Sequence, residues 1–321
     1  MKDLKTFHSL ALFLTAALFL NGCATQPAST PQPEVRNAQP VSHVATPPTG
    51  DPTLWPAQAP VIRAQSAIMI DANTGQTIYQ KNADAPRPVA STQKLLTALI
   101  VSRDSMEQAV VIDRDDTSVE PTKLFMKPGS TYSRRQLLTA MLVHSCNDAA
   151  HALARSHSGS ISVFADEMNR YASAYGATNS HFVNPNGLPA VQHSTARDMA
   201  RIAFHAYHNS LLRQIMAMPS FTFVYSSKRA TTFSSTNKLL SHSTMFNGMK
   251  TGFTDASGKC LIASANYGGR DVILVQLGSK SRYIFDDADR MIKWGLSRGS
   301  FFSNALAGQE RSQSVSLVEQ S

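Results

Sequence analysis

A chain of 321 residues, 42% hydrophobic and 16% charged, holds enough apolar material for one large folded unit or two ordinary ones. Its formal charge of +8 suits any anionic surface, but without a zinc finger, an aromatic-and-basic RNA motif or a dense basic run, nucleic-acid binding is set aside. Three cysteines are too few for a disulfide-built scaffold.

In chain order, Lys2 and Lys5 precede an apolar stretch from Leu10 to Leu20 interrupted only by Thr15. The stretch is shorter than the roughly 20 residues of a membrane-spanning helix and has the form of an export signal. It closes on Leu20-Asn21-Gly22-Cys23, which resembles the lipobox of bacterial lipoproteins. That resemblance implies a signal peptide over 1–22 and lipidation of Cys23. It further implies an exported protein held at a membrane, facing the periplasm or cell wall, since multiple acyl chains anchor stably. Ala24, where an aspartate would signal inner-membrane retention, points to the outer membrane. Residues 23–60 read as a tether, because nine of the sixteen prolines fall there among Thr, Gln and Ala, and such a segment buries too little to offset its ordering entropy.

Order is expected over 61–299. Ser66–Ile70 and Gln76–Gln80 are β-rich runs around a turn at 71–75. After Pro86 and Pro88, Ser91 opens a helical run with Leu95, Leu96, Leu99 and Ile100 on one face. A second helix, 136–143, stops at His144-Ser145-Cys146-Asn147, and 148–155 is helical again. Thr195-Ala-Arg-Asp198 is a capping-box-like start before 199–204. Strands are predicted at 221–225, 248–252, 259–265 and 271–278, with a break at Gly268-Gly269, and a closing helix at 286–294. Strands at both ends and helices between predict an α+β domain: one antiparallel sheet formed from both ends of the domain, flanked by helices, with an inserted all-helical lobe. Residues 300–321 are a polar tail. Cys146 and Cys260 are expected as buried free thiols.

Three short motifs carry the chemistry jointly. In Ser91-Thr-Gln-Lys94, positions three apart on a helix share a face, so an amine whose pKa is lowered by burial can activate a hydroxyl that is otherwise a poor nucleophile. Ser235-Thr-Asn-Lys238 has the same spacing without the apolar helix behind it, and serves as an internal control. Ser145-Cys-Asn147 lies at a break between helices. Lys250-Thr-Gly252 occurs once, on a predicted strand, where glycine admits a close backbone approach.

Taken with Ala90–Thr97, Met126-Lys-Pro-Gly129, Leu137–Ala150, Asn184-Pro-Asn-Gly-Leu188, Ser194–Asp198 and Gly248–Thr254, these motifs resemble the D-alanyl-D-alanine carboxypeptidases, the low-molecular-mass penicillin-binding proteins. The resemblance implies a β-lactamase/transpeptidase-like fold and a serine D,D-carboxypeptidase acting on peptidoglycan stem peptides through an acyl-enzyme, with β-lactams as covalent inhibitors. By it, Ser91 is the nucleophile, Lys94 its base and Ser145 a proton relay assisted by Lys250. Asn147 holds a substrate amide and Lys94, Lys250 and Thr251 bind the terminal carboxylate, and the backbone N–H groups of Ser91 and Phe253 form the oxyanion hole. Gly252 and Thr254 complete the substrate strand, and Lys280 or Arg282 adds positive charge.

A class A β-lactamase needs a carboxylate for its deacylating water. Between Ser145 and Lys250 the one glutamate is Glu167, in an amphipathic helical pattern, so a slowly deacylated penicillin adduct is expected. His205 and His208 lack an acidic partner at zinc spacing, so neither metal nor cofactor is expected. Only 27 residues follow Trp294, so the C-terminal β-rich domain of many carboxypeptidases is expected to be missing, as in the endopeptidase branch. The alternatives are therefore a D,D-endopeptidase cutting cross-links and, further off, a β-lactamase or a non-catalytic wall-binding lipoprotein.

Overall fold

The computed structural model describes residues 58–280 and 282–298. The signal, lipidation and tether expected before residue 58, and the polar tail, lie outside the described residues. Strands β1 (Ser66–Asp71) and β2 (Thr77–Lys81) form the expected hairpin. Near the other end come β7 (Phe246–Thr254), β8 (Gly258–Tyr267) and β9 (Arg270–Ser279). They join in one antiparallel sheet of order β2-β1-β9-β8-β7, because β1 pairs with β9 from Ser66↔Leu277 to Asp71↔Val272. A sheet built from both ends is thus what the structure contains. Gly268 and Gly269 both have positive φ, as a two-residue β8–β9 turn requires.

Both faces of the sheet are covered, which is why its central strands read as nearly continuous apolar runs. Ile68, Ile70, Ile262, Ile273, Val275 and Leu277 point into the larger core. The alternate residues Ala67, Met69, Leu261, Ala263, Val272 and Leu274 meet Ala288, Met291 and Ile292 of a closing helix over 284–298. On the larger face α5 (Ala196–His208) and α6 (Ser210–Met216) pack on the sheet, and α1 (Lys94–Val101), α2 (Arg134–Val143), α3 (Asn147–Ser158) and α4 (Ile161–Ala174) pack on them and on one another. Ser133 and Gln136 form a reciprocal capping box on α2. The Thr195 hydroxyl accepts from Asp198 N at the start of α5, as its sequence signature predicts.

Besides α6, for which no helix was expected, three features depart from expectation. Ser91 sits inside a 3-10 turn, Ala90–Gln93, and α1 begins only at Lys94. A strand β6 (Arg229–Ser234) pairs with β5 (Ser220–Ser226) in a separate hairpin; it is largely exposed, so no buried face marks it in the sequence. A short ribbon, β3 (Ala109–Val111) with β4 (Thr131–Ser133), precedes α2. Cys146 and Cys260 are both buried and unpaired, as expected.

Candidate active site

The 3-10 turn carrying Ser91 packs against the edge strand β7, and the fit depends on glycine. A side chain at 252 would place its Cβ 2.9 Å from Ser91 N and 3.0 Å from Ala90 Cβ. This contact sets Lys250-Thr-Gly252 alongside the serine. One turn on, Lys94 Nζ lies 2.8 Å from Ser91 Oγ. It also donates to Asn147 Oδ1 at 2.7 Å and to the Asn186 carbonyl at 2.6 Å.

Asn147 opens α3, where its own N–H donates to Thr122 O at 2.7 Å and its Nδ2 to Glu120 O at 3.2 Å. The next residue, buried Asp148, accepts from Leu124 N at 2.7 Å. Together the two residues clasp the 120–124 segment to the helix start.

The third wall is the 184–187 segment, whose successive carbonyls are taken by side chains of the turn and α1. Gln93 Nε2 donates to Asn184 O at 2.6 Å, Thr97 Oγ1 to Pro185 O at 2.6 Å, and Lys94 to Asn186 O. Gly187, with φ +83, faces the Ala90 carbonyl so closely that any Cβ would collide with it.

Electrostatics then separate the two lysines. Lys94 and Lys250 are both fully buried. Burial, with the Lys250 charge second, holds the Lys94 pKa well below the usual lysine range. Burial brings Lys250 down to about 7. Burial thus favours the neutral form of Lys94, and a neutral amine has two hydrogens and one lone pair. Asn147 Oδ1 and Asn186 O take the hydrogens, leaving the lone pair for the Ser91 hydroxyl. The geometry is that of a nucleophile paired with an oriented base.

Not every expected residue makes a direct contact. Ser145 sits between α2 and α3 with φ 69 and makes no side-chain hydrogen bond to Ser91, Lys94 or Lys250 among the described residues. Lys250 Nζ donates to Thr251 O at 2.9 Å. Phe253 is 62% exposed beyond Gly252. Thr254 spends its hydroxyl on Ser257, closing the β7–β8 turn. Lys280 and Arg282 are exposed, and Arg282 donates to Tyr283 Oη. Buried Cys146 has its thiol pushed up by burial, against the opposing charges of Lys94 and Lys250, and stays protonated. Glu167 sits on α4, bound to Ser158, His157 and Arg170 and away from the serine, as its helical pattern implies.

Sequence reasoning missed three contributors. Asn186 acts through a carbonyl, which leaves no side-chain signature. Thr236 and Asn237 belong to the run used as a control, yet Thr251 Oγ1 donates to Thr236 Oγ1 at 2.6 Å and Asn237 Nδ2 to Gly248 O at 2.8 Å. Their hint was the Ser-Thr-x-Lys pattern, which recurs at 91–94 and 235–238.

A family model described as D-alanyl-D-alanine carboxypeptidase matches residues 55–281. The chain belongs to that family. It is 35% identical over 236 residues to a D-alanyl-D-alanine endopeptidase of Pseudomonas aeruginosa, an alignment covering 71% of this chain and 76% of the relative. To a D-alanyl-D-alanine endopeptidase of Escherichia coli it is 32% identical over 244 residues, covering 74% and 79%. Among solved structures, the D-alanyl-D-alanine carboxypeptidase of Mycobacterium tuberculosis superposes with a TM-score of 0.72 at 31% identity, covering 79% of this chain and 96% of that one. Membership in this peptidase family agrees with the serine-hydrolase reading of the motifs and with the α+β sheet expected from them.

Proposed function

We propose that the protein is a serine D-alanyl-D-alanine carboxypeptidase acting on peptidoglycan stem peptides. Ser91 Oγ attacks the carbonyl of the penultimate D-alanine while its proton passes to Lys94 Nζ. The oxyanion forms against the backbone N–H groups of Ser91 and Phe253. As the C–N bond breaks, the departing amine of the terminal D-alanine takes up a proton relayed through Ser145 with Lys250, and water then hydrolyses the ester. Asn147 orients Lys94 and a substrate amide. Lys250 and Thr251 meet the terminal carboxylate, and a buried cation is the natural partner for a free C-terminal anion. The reading is carried by the three short contacts of Lys94, which leave its lone pair to the serine.

Penicillins present a reactive amide to the same hydroxyl and form a long-lived ester, since Glu167 is engaged elsewhere. The test is labelling by a fluorescent penicillin: wild type and Ser235→Ala label, and Ser91→Ala does not. Labelling of Ser91→Ala would end the reading. A second reading, a D,D-endopeptidase, is favoured by the names of the two relatives above. Release of D-alanine from a monomeric pentapeptide supports the first, and splitting of a cross-linked dimer the second.

The same proposal places the protein at a membrane through lipid on Cys23, with the outer membrane favoured by Ala24. No helix among the described residues is long and apolar enough to cross a membrane. Mass analysis of the mature N-terminus tests the anchor, and an unmodified start elsewhere than Cys23 removes it.

A further inference from the structure

The segment 182–192, which brings Asn184, Asn186 and Gly187 to the serine, is closed at its neck by two histidines. His181 N donates to His193 O at 2.8 Å and His193 N to His181 O at 2.9 Å, an isolated antiparallel bridge. Residues paired in this way present their side chains on one face, with Cβ atoms about 5 Å apart. Both histidines are exposed. Their rings lie 6.4 Å apart, centroid to centroid, inclined at 41°. Among the described residues no protein group hydrogen-bonds a ring nitrogen of either, so no protein partner competes with a ligand for those nitrogens.

We infer that His181 and His193 form a two-imidazole site for a transition-metal dication of the Zn2+, Ni2+ or Cu2+ class, the ions that imidazole suits. Metal–nitrogen bonds of about 2.0–2.1 Å put each ring centroid about 3.2 Å from the ion, and at a tetrahedral angle the centroids lie about 5.2 Å apart. The rings need to approach by only about 1 Å, which torsions of exposed side chains supply. No group of three or more His, Cys, Asp and Glu is placed to hold a metal among the described residues, so water completes the coordination and the ion is exchangeable. A bound ion cross-links the two ends of the segment whose Asn186 carbonyl holds Lys94, and so tightens the support of the base.

The test uses the full chain without an affinity tag, titrated calorimetrically with ZnCl2 and with NiCl2 in a non-coordinating buffer. Wild type should bind in the micromolar range, and His181→Gln and His193→Gln should each weaken that binding at least tenfold. His205→Gln, on α5, should leave it unchanged. Penicillin labelling shows that each variant retains its fold. With one equivalent of Cu2+, electron paramagnetic resonance of the wild type should show two nitrogen ligands, a readout that needs no variant and no turnover. Absence of saturable binding, or binding that survives in both neck variants, overturns the inference.

Discussion

Gly187→Ala puts the proposed chemistry under the sharpest strain. At φ +83 an alanine is disfavoured by about 1 kcal/mol, and its Cβ would collide with the Ala90 carbonyl and sit 2.8 Å from Ser91 N. Both neighbours are backbone, so no side chain can rotate away, and restoring ordinary contact means a retreat of about 1 Å by the 184–187 segment. The Asn186 O to Lys94 Nζ bond, now 2.6 Å, then reaches about 3.6 Å and ceases to be a hydrogen bond. A 1 Å misplacement of a catalytic support lowers rates about 10²-fold. The expected result is a second-order penicillin-acylation rate down about 10²-fold, with stability lower by about 1–3 kcal/mol. Gly129→Ala is the control: its φ is +81, but nothing lies within 4 Å of the added Cβ. It should lose about 1 kcal/mol of stability and keep its acylation rate. Near-wild-type acylation by Gly187→Ala, or equal rate losses in both variants, refutes the reasoning.

Further expectations concern the buried charges and the hydroxyl pair. Lys250 has a pKa depressed to about 7, so its contribution to stability is present at high pH and lost as pH falls through 7; Lys250→Met should melt above wild type at pH 6, with the advantage shrinking toward pH 10, and should not turn over D-alanyl-D-alanine peptides. A lower melting temperature at pH 6 would count against this. Asp148 has the opposite sign: burial raises its pKa from 3.8 to about 6, so its contribution is full below pH 4 and falls away as pH rises through 6, by about 3 kcal/mol in all. The stability of wild type relative to Asp148→Asn should therefore drop between pH 4 and 7, and parallel unfolding profiles would contradict it. Thr236→Val leaves Thr251 Oγ1 without its 2.6 Å partner; a loss of about 1 kcal/mol in carboxylate positioning corresponds to roughly a fivefold higher KM at little change in kcat, and an unchanged KM removes Thr236 from the site.

Much of this molecule is legible from its residues alone. The three-residue spacing of Ser91 and Lys94 implies a shared helical face, and the amine does reach the hydroxyl even though the serine lies in a 3-10 turn rather than at a helix cap. Short β-rich apolar runs located β1, β8 and β9, because strands covered on both faces are buried almost without interruption. The exposed β6 has no such face to report and escaped notice.

What the residues determined by themselves was therefore which stretches are strands or helices, that strands from both ends share one sheet, and which side chains have the chemistry to attack, accept a proton or bind an anion. Only the tertiary structure decided which carbonyl holds Lys94, why residue 187 must lack a side chain, and that Thr236, in a run resembling a decoy, touches Thr251. The physical reason is that periodicity records burial along one segment. A backbone acceptor looks the same at every position, and its use is settled only when segments about 90 residues apart close on one another across the sheet edge.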